Sequence, residues 1–260
     1  MLANLSELIS YRELLVKWTI RDLKVRYKQS LLGITWAILQ PLALTLIFSM
    51  IFSRIVRVPT DGIPYPLFYY AAIMPWVFFS SSLSFAAPSL VNNLSLVTKV
   101  YFPREIIPVA SVLASLIDFC FAGLVFAGMM LIYQAPVTAS FLALPLLILL
   151  QMALALGIGL ILAALNVSYR DVRFVVPVAL QLWLYLTPVI YPISMVPERF
   201  HSLYALNPMT GIIDGYRQVL LRNQIPELTS LLPAIVLSLV LLVGAYVYFK
   251  WAEAEFADVI

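Results

Sequence analysis

Only 11% of the 260 residues are charged, against 63% that are apolar. Soluble domains carry about 25% charged residues, so too little charge remains here to cover a water-facing surface, and a soluble globular domain is excluded. The one cysteine, Cys120, rules out an intrachain disulfide; it lies in an apolar run and reads as a small packing residue. The one histidine, His201, has no cysteine or carboxylate cluster beside it, so no metal site is expected. No glycine is followed by lysine, which removes a phosphate-binding loop, and no G-x-S-x-G occurs. Any work this chain does must borrow its energy. The opening "MLANLSELIS" has neither a basic segment nor a continuous apolar one, so no cleavable signal is expected.

What the sequence does have is long apolar runs. A helix needs about 20 apolar residues to cross the hydrocarbon core, and runs that qualify lie near 31–53, 66–88, 106–132, 140–165, 174–193 and 228–250. Six spans put both termini on one side. Eleven basic residues fall on that side, among them Lys99, Arg104, Arg170, Arg173 and Lys250, against Arg54, Arg57, Arg199, Arg217 and Arg222 on the other. The positive-inside rule therefore predicts cytoplasmic termini. The fold class expected is an all-α integral membrane protein with two parts, an N-terminal cytoplasmic amphipathic helix over 1–30 and a transmembrane domain over 31–260. Ala155, Gly159 and Ala163, at helical spacing, predict close helix packing.

Basic residues crowd the segment before the first span, which no linker separates from it. Lys17, Arg21, Lys24 and Lys28 recur at spacings of four, three and four, with Arg26 nearby, while Leu5, Leu8, Ile9, Leu15, Val16 and Leu23 lie mostly opposite. Such a helix is expected to lie along a membrane surface with its apolar face in lipid. One reading is a lipid anchor; the other adds docking of a cytoplasmic partner. The loop "NNLSLVTKVYFPREIIP" (92–108) predicts a short helix capped by Asn92 or Asn93 and running through Lys99, followed by a turn at Pro103. Its Leu94, Val97, Tyr101 and Phe102, beside Lys99, Arg104 and Glu105, suit presentation to a partner better than a plain loop. Between the last two runs, "NPMTGIIDGYRQVLLRNQIP" predicts a short amphipathic helix that lies in the interface or re-enters the membrane.

Asp118 is the one carboxylate deep in a predicted span. It is either a proton relay or a hydrogen-bonded group facing a neighbouring helix. Aromatic residues fill the first, second and fifth runs; interfacial belts account for many, and the rest could line a passage for sugars.

The stretches 21–42, 92–112, "YRDVR" (169–173) and "LNPMTGIIDGYRQVLL" (206–221) together resemble the ABC-2 type permeases that export surface polysaccharides. The resemblance implies a homodimer of permeases bound to two copies of a cytoplasmic ABC ATPase, which binds ATP and Mg, in the bacterial inner membrane. This chain would then be a transport subunit and not an enzyme, with no cofactor of its own and no nucleic-acid partner. The segment near 4–28 matches the interface helix, with Lys17, Arg21, Lys24, Arg26 and Lys28. Asn92, Asn93, Leu94, Val97, Thr98, Lys99, Tyr101, Phe102, Pro103, Arg104 and Glu105 match the ATPase-coupling helix. Asp214, Tyr216 and Arg217 fall in the re-entrant segment near the exit, and Phe48, Phe52, Tyr69, Tyr70, Trp183, Tyr185 and Tyr191 are the channel-lining candidates. The implied function is movement of a lipid-linked polysaccharide, such as an O-antigen, to the outer leaflet. The alternatives are an ABC-2 exporter of a drug or small lipid, a proton-coupled transporter using Asp118, and a structural scaffold.

Overall fold

The computed structural model describes residues 10–28, 30–53, 58–60, 62–97, 99, 101–254 and 256, apart from the side chains of Ile34 and Val97. Leu5, Leu8, Ile9, Arg54, Arg57 and Thr98 lie outside the described residues, as does the Val97 side chain. The described residues form helices and turns without a strand. In chain order the helices are α1 (Arg12–Tyr27), α2 (Trp36–Ile51), α3 (Tyr65–Ala86), α4 (Leu94–Val97), α5 (Ile106–Ile132), α6 (Leu144–Ser168), α7 (Val172–Tyr185), α8 (His201–Ala205), α9 (Pro208–Leu220) and α10 (Leu228–Glu253).

Helices α3, α5, α6 and α10 are long and apolar enough to cross a bilayer. α2 and α7 are apolar but have only 16 and 14 residues. At 1.5 Å per residue the shorter reaches about 21 Å of a core about 30 Å thick. The first and fifth predicted runs are thus shorter as helices than as apolar sequence. α7 stops where Pro188 follows Thr187, since the residue before a proline is steered out of the helical region. The junction of α1 with α2 also differs from the expected direct joint. Lys28 is extended, and Gly33 turns the chain at a φ of 53°, a conformation that costs glycine little.

The direction of each helix follows from what its ends touch. One end of the molecule gathers Trp18 of α1, Leu90 beyond α3, Ile106 and Ala110 of α5, Val167 of α6 and Phe249 of α10 into a single apolar cluster. At the other end Phe52 stacks on Tyr65, the Tyr65 hydroxyl donates to the Ile190 carbonyl, and the Ser140 hydroxyl donates to the Val219 carbonyl. Six segments (α2, α3, α5, α6, α7 and α10) therefore run alternately up and down, and both ends of the described chain lie at the α1 end. Here that end is called the lower one.

α3 is the central element, with 16 of its 22 residues buried, and it packs on α2, α5, α6, α7 and α9. Being apolar all round suits a helix surrounded by others. Gln151 of α6 donates to the Pro75 carbonyl at 2.5 Å, a polar tie between the two helices. Ala155 and Ala163 of α6 are fully buried and Gly159 faces Ala86, as their spacing predicts. A second set of small residues went unread. A Cβ on Gly157 would stand 2.9 Å from the Leu242 nitrogen, and one on Gly211 would stand 2.7 Å from the Ser230 carbonyl oxygen. Gly211 and Gly215 form a G-x-x-x-G that lets α9 sink against α10 and α6.

These contacts separate two glycines four residues apart. Gly211→Ala drives a methyl into backbone, which cannot yield, and is expected to cost about 1–3 kcal/mol. Gly215→Ala meets only the end of the Leu147 side chain, which can rotate away. Thermal unfolding of the purified protein in detergent should show a clear fall in Tm for the first and a smaller one for the second.

Candidate coupling interface and passage

α1 lies against the lower half of α5 through polar groups. On α5, Ser111, Ser115 and Asp118 recur at spacings of four and three, and Asp22 and Arg26 of α1 meet them. Arg26 donates to Asp118 at 2.5 Å and reaches the Ser115 hydroxyl at 3.4 Å. The Tyr27 hydroxyl donates to the other Asp118 oxygen at 2.8 Å, and Ser111 donates to Asp22 at 3.0 Å. The Arg26 guanidinium also lies 3.7 Å over the Phe85 ring. Burial pushes the Asp22 carboxyl above its ordinary value, against the opposing effects of the Ser111 hydrogen bond and the nearby Arg21 and Arg26 charges. A cavity of about 180 Å³ beside Asp118, bounded by Tyr27, Gln40, Ser81 and Phe119, keeps the pair close to polar space. Of the two readings of Asp118, the geometry matches the hydrogen-bonded group facing a neighbouring helix.

The basic stripe divides. Lys17, Lys24 and Lys28 are exposed, Arg21 is half-buried and donates to the Asn93 side-chain oxygen, and Arg26 turns inward. The covered side of α1 is mixed: Leu14, Leu15 and Trp18 pack on the lower apolar cluster, while Asp22 and Arg26 make polar contacts. Val16, Ile20 and Val25 are exposed among the lysines.

The 92–105 loop has two sides. Outward are Asn92, Ser95, Leu96, Lys99 and Tyr101, the last 86% exposed. Inward are Asn93, Phe102, Pro103 and Glu105, with Leu94 and Arg104 half-buried. Among the described residues the expected helix through Lys99 is the single turn α4 after a 3-10 turn. Asn93 accepts from Arg21 and donates to the Ser89 carbonyl at 2.8 Å. Phe102 packs on Trp18 with ring centres 5.8 Å apart. Glu105, 2% exposed, accepts from Lys250 at 2.7 Å, and Lys250 also reaches Glu253 at 2.9 Å. The Arg104 guanidinium donates to the Glu253 carbonyl at 2.9 Å. Four of the predicted coupling residues, Asn93, Phe102, Arg104 and Glu105, therefore hold the loop to α1 and α10. Trp18, Lys250 and Glu253 were missed in this role; only the spacing of Lys250 and Glu253 was a readable sign.

At the upper end, α9 is buried within the protein in 12 of its 13 residues. Tyr216 is enclosed against Phe119, while Asp214 accepts from Gln218 at 2.7 Å. Asn207 caps α9 by accepting from the Met209 nitrogen at 3.1 Å. The same side-chain oxygen accepts from the Trp183 indole at 2.9 Å, and its amide donates to the Thr187 hydroxyl at 2.9 Å. Arg217 donates to the carbonyls of Pro188 at 2.6 Å, Val189 at 2.7 Å and Tyr191 at 3.2 Å, and lies 3.9 Å over Phe68.

The aromatic candidates separate by exposure. Tyr69 and Tyr70 have no open surface in this chain; Tyr69 stacks on Phe48 at 5.0 Å, and the Tyr70 hydroxyl donates to the Ala122 carbonyl at 3.2 Å. Phe48, Phe52, Trp183 and Tyr191 are half-buried, Trp183 edge-on to Phe79 at 5.2 Å. Tyr185 is exposed, with its carbonyl accepting from the Tyr191 hydroxyl at 2.9 Å.

Removing one member of the Arg26–Asp118 pair leaves the other desolvated and alone. Asp118→Ala is expected to lower stability by about 2–4 kcal/mol, and adding Arg26→Met should restore much of it. A double-mutant cycle on thermal unfolding checks this; additive losses would mean that the two residues do not interact.

Comparison with known proteins follows this geometry. The model of a family described as ABC-2 type transporter matches residues 14–221. An O-antigen export system permease protein RfbA from Myxococcus xanthus is 33% identical over 261 residues, covering 99% of both chains. A protein of the same name from Klebsiella pneumoniae is 32% identical over 81% of both chains. The polysialic acid transport protein KpsM of Escherichia coli is 26% identical over 90% of this chain and 92% of its own. With most of its length matched by the family model and nearly all of it by a relative, this chain belongs to the ABC-2 type transporter family.

Proposed function

We propose that this chain is the membrane permease of an ATP-driven exporter that moves a lipid-linked polysaccharide, of the O-antigen kind, from the cytoplasmic to the outer leaflet. The observation that carries this reading is the likeness to the O-antigen permease of Myxococcus xanthus over 99% of both chains. In this reading two copies form a homodimer in the bacterial inner membrane with both termini in the cytoplasm. Two separate ABC ATPase subunits bind ATP and Mg and dock on the lower end.

The chemistry is the partner's, and this chain converts movement. The outward residues Tyr101, Leu96 and Lys99 meet the ATPase. Phe102 and Asn93 pass its displacement to α1, and Arg104 and Glu105 pass it to α10. α1 carries it to α5 through Arg26. The permease subunits then part along α2 and α7, where Phe48 and Tyr185 offer ring faces and a hydroxyl to the sugars.

Affinity purification of the tagged permease from its own membranes, followed by mass spectrometry, tests the reading. A stoichiometric ABC ATPase together with a lipid-linked glycan supports it. An ATPase without glycan would turn the substrate toward a drug or small lipid, and no ATPase at all would overturn the exporter.

Two neighbouring aromatics should behave differently. Tyr101→Ala removes an exposed ring, so the protein is expected to keep its Tm but lose ATPase docking and export. Phe102→Ala empties a buried site and should cost about 3–5 kcal/mol of stability. Unfolding curves beside export assays distinguish the two.

A further inference from the structure

We propose that Asn207 and Arg217 are positioning residues for export: they fasten the upper end of α7 to the buried helix α9 and make that end a fixed pivot for the rest of α7. The proposal rests on the permease reading above.

The polar contacts of α7 are unevenly placed. At its upper end Trp183 donates to Asn207, and Leu186 and Thr187 accept from the Asn207 amide. The next four carbonyls in sequence are all engaged. Arg217 holds those of Pro188, Val189 and Tyr191, and Tyr65 holds that of Ile190 at 2.9 Å. These four carbonyls lie in the turn that follows α7, which ends at Tyr185. A guanidinium can bind several of them at once with a planar fork, which an ammonium cannot copy.

Lower down, α7 is loosely held. Among the described residues, its side-chain hydrogen bonding to neighbouring elements there is the Arg173 nitrogen on the Asn166 side chain at 3.2 Å. Val176 and Leu180 are its buried residues, and Phe174, Val175, Val178 and Leu182 are exposed. α9, by contrast, is sunk against α10 and α6 by close glycine contacts. A helix stapled at one end to a fixed element and free along the remainder moves by swinging about the staple.

Two variants isolate the staple from the fold. Asn207→Asp keeps the oxygen that caps α9 and receives Trp183, since both residues are good caps, but lacks the amide that reaches Leu186 and Thr187. Arg217→Lys keeps the charge and loses the fork. Each is compared with wild type in the complete permease–ATPase complex in proteoliposomes loaded with the co-purified lipid-linked glycan. Tm, ATP hydrolysis and export are all measured. The expected result is near-wild-type Tm and hydrolysis with export lowered roughly tenfold, equivalent to about 1.4 kcal/mol.

Spin labels on Leu186→Cys, whose side chain is exposed, and Phe174→Cys, each paired with Val240→Cys in a Cys120→Ala background, read the motion directly. With Asn207 and Arg217 intact the distance from position 186 should stay constant through the ATP cycle while that from 174 changes; in the two variants both should change. Variants that export like wild type, a parallel loss of Tm, hydrolysis and export, or equal movement of 186 and 174 with Asn207 and Arg217 intact would each overturn the pivot. A wild-type complex that hydrolyses ATP but exports no glycan would overturn the permease reading instead, and the label distances would still decide the pivot.

Discussion

The lower half of the molecule depends on how Asp118 is partnered. An acidic side chain at the middle of a spanning helix costs about 2.5–3.5 kcal/mol on insertion scales, and α5 offers only hydroxyls of its own. The counter-charge comes from α1, through Arg26 at 2.5 Å with Tyr27 beside it. Once Arg26 is fixed there, helical spacing brings Asp22 onto Ser111 and turns Trp18 toward Phe102. Lys17, Lys24 and Lys28 are then left outside. One ion pair thus sets the rotation of α1 and decides which of its cations remain free for headgroups or a partner.

The same economy organises the loop after α3. Its inward residues are divided between two helices, Asn93 and Phe102 going to α1, Arg104 and Glu105 to α10. A single attachment would let the loop rotate when pushed. Two attachments on different helices remove that freedom, so a load on Tyr101 reaches α1 and α10 together. Glu105 is 2% exposed and Lys250 23%, so the carboxylate is desolvated and depends on its partner. What the pair supplies is a fixed register between the loop and the last helix.

Much of this was legible in the sequence because the bilayer enforces simple rules. Run length located α3, α5, α6 and α10 within a few residues, and small residues at helical spacing identified the packed face of α6. Two kinds of feature were not legible. Helix ends inside apolar runs were hidden, because Leu31 and Leu32 before α2 look the same to hydropathy as the helix that follows. Partnership was hidden as well. Arg26, Glu105 and Arg217 read as surface or exit charges, and only the third dimension brings them to Asp118, Lys250 and the carbonyls after α7. Which side each residue of the 92–105 loop faces depends on helices far away in sequence, as with Arg104 and Glu253, 149 positions apart.

Which parts can separate follows from how each is packed. In lipid, helices gain nothing from hiding apolar surface from one another, since the surrounding tails are equally apolar. Close van der Waals contact and specific polar bonds are what hold them together. α3, α5, α6, α9 and α10 have both, with glycines that bring α6 and α9 onto the backbone of α10. Opening that set would leave voids that neither lipid nor sugar could fill. α2 and α7 differ: Leu39, Leu46, Ile47 and Met50 of the one, and Phe174, Val175, Val178 and Leu182 of the other, are exposed in this chain. Surface of this kind can exchange lipid, a second copy or a glycan at little cost in packing. In the permease reading proposed above, a route for a bulky sugar chain belongs along α2 and α7, with the glycine-packed helices as the frame against which they move.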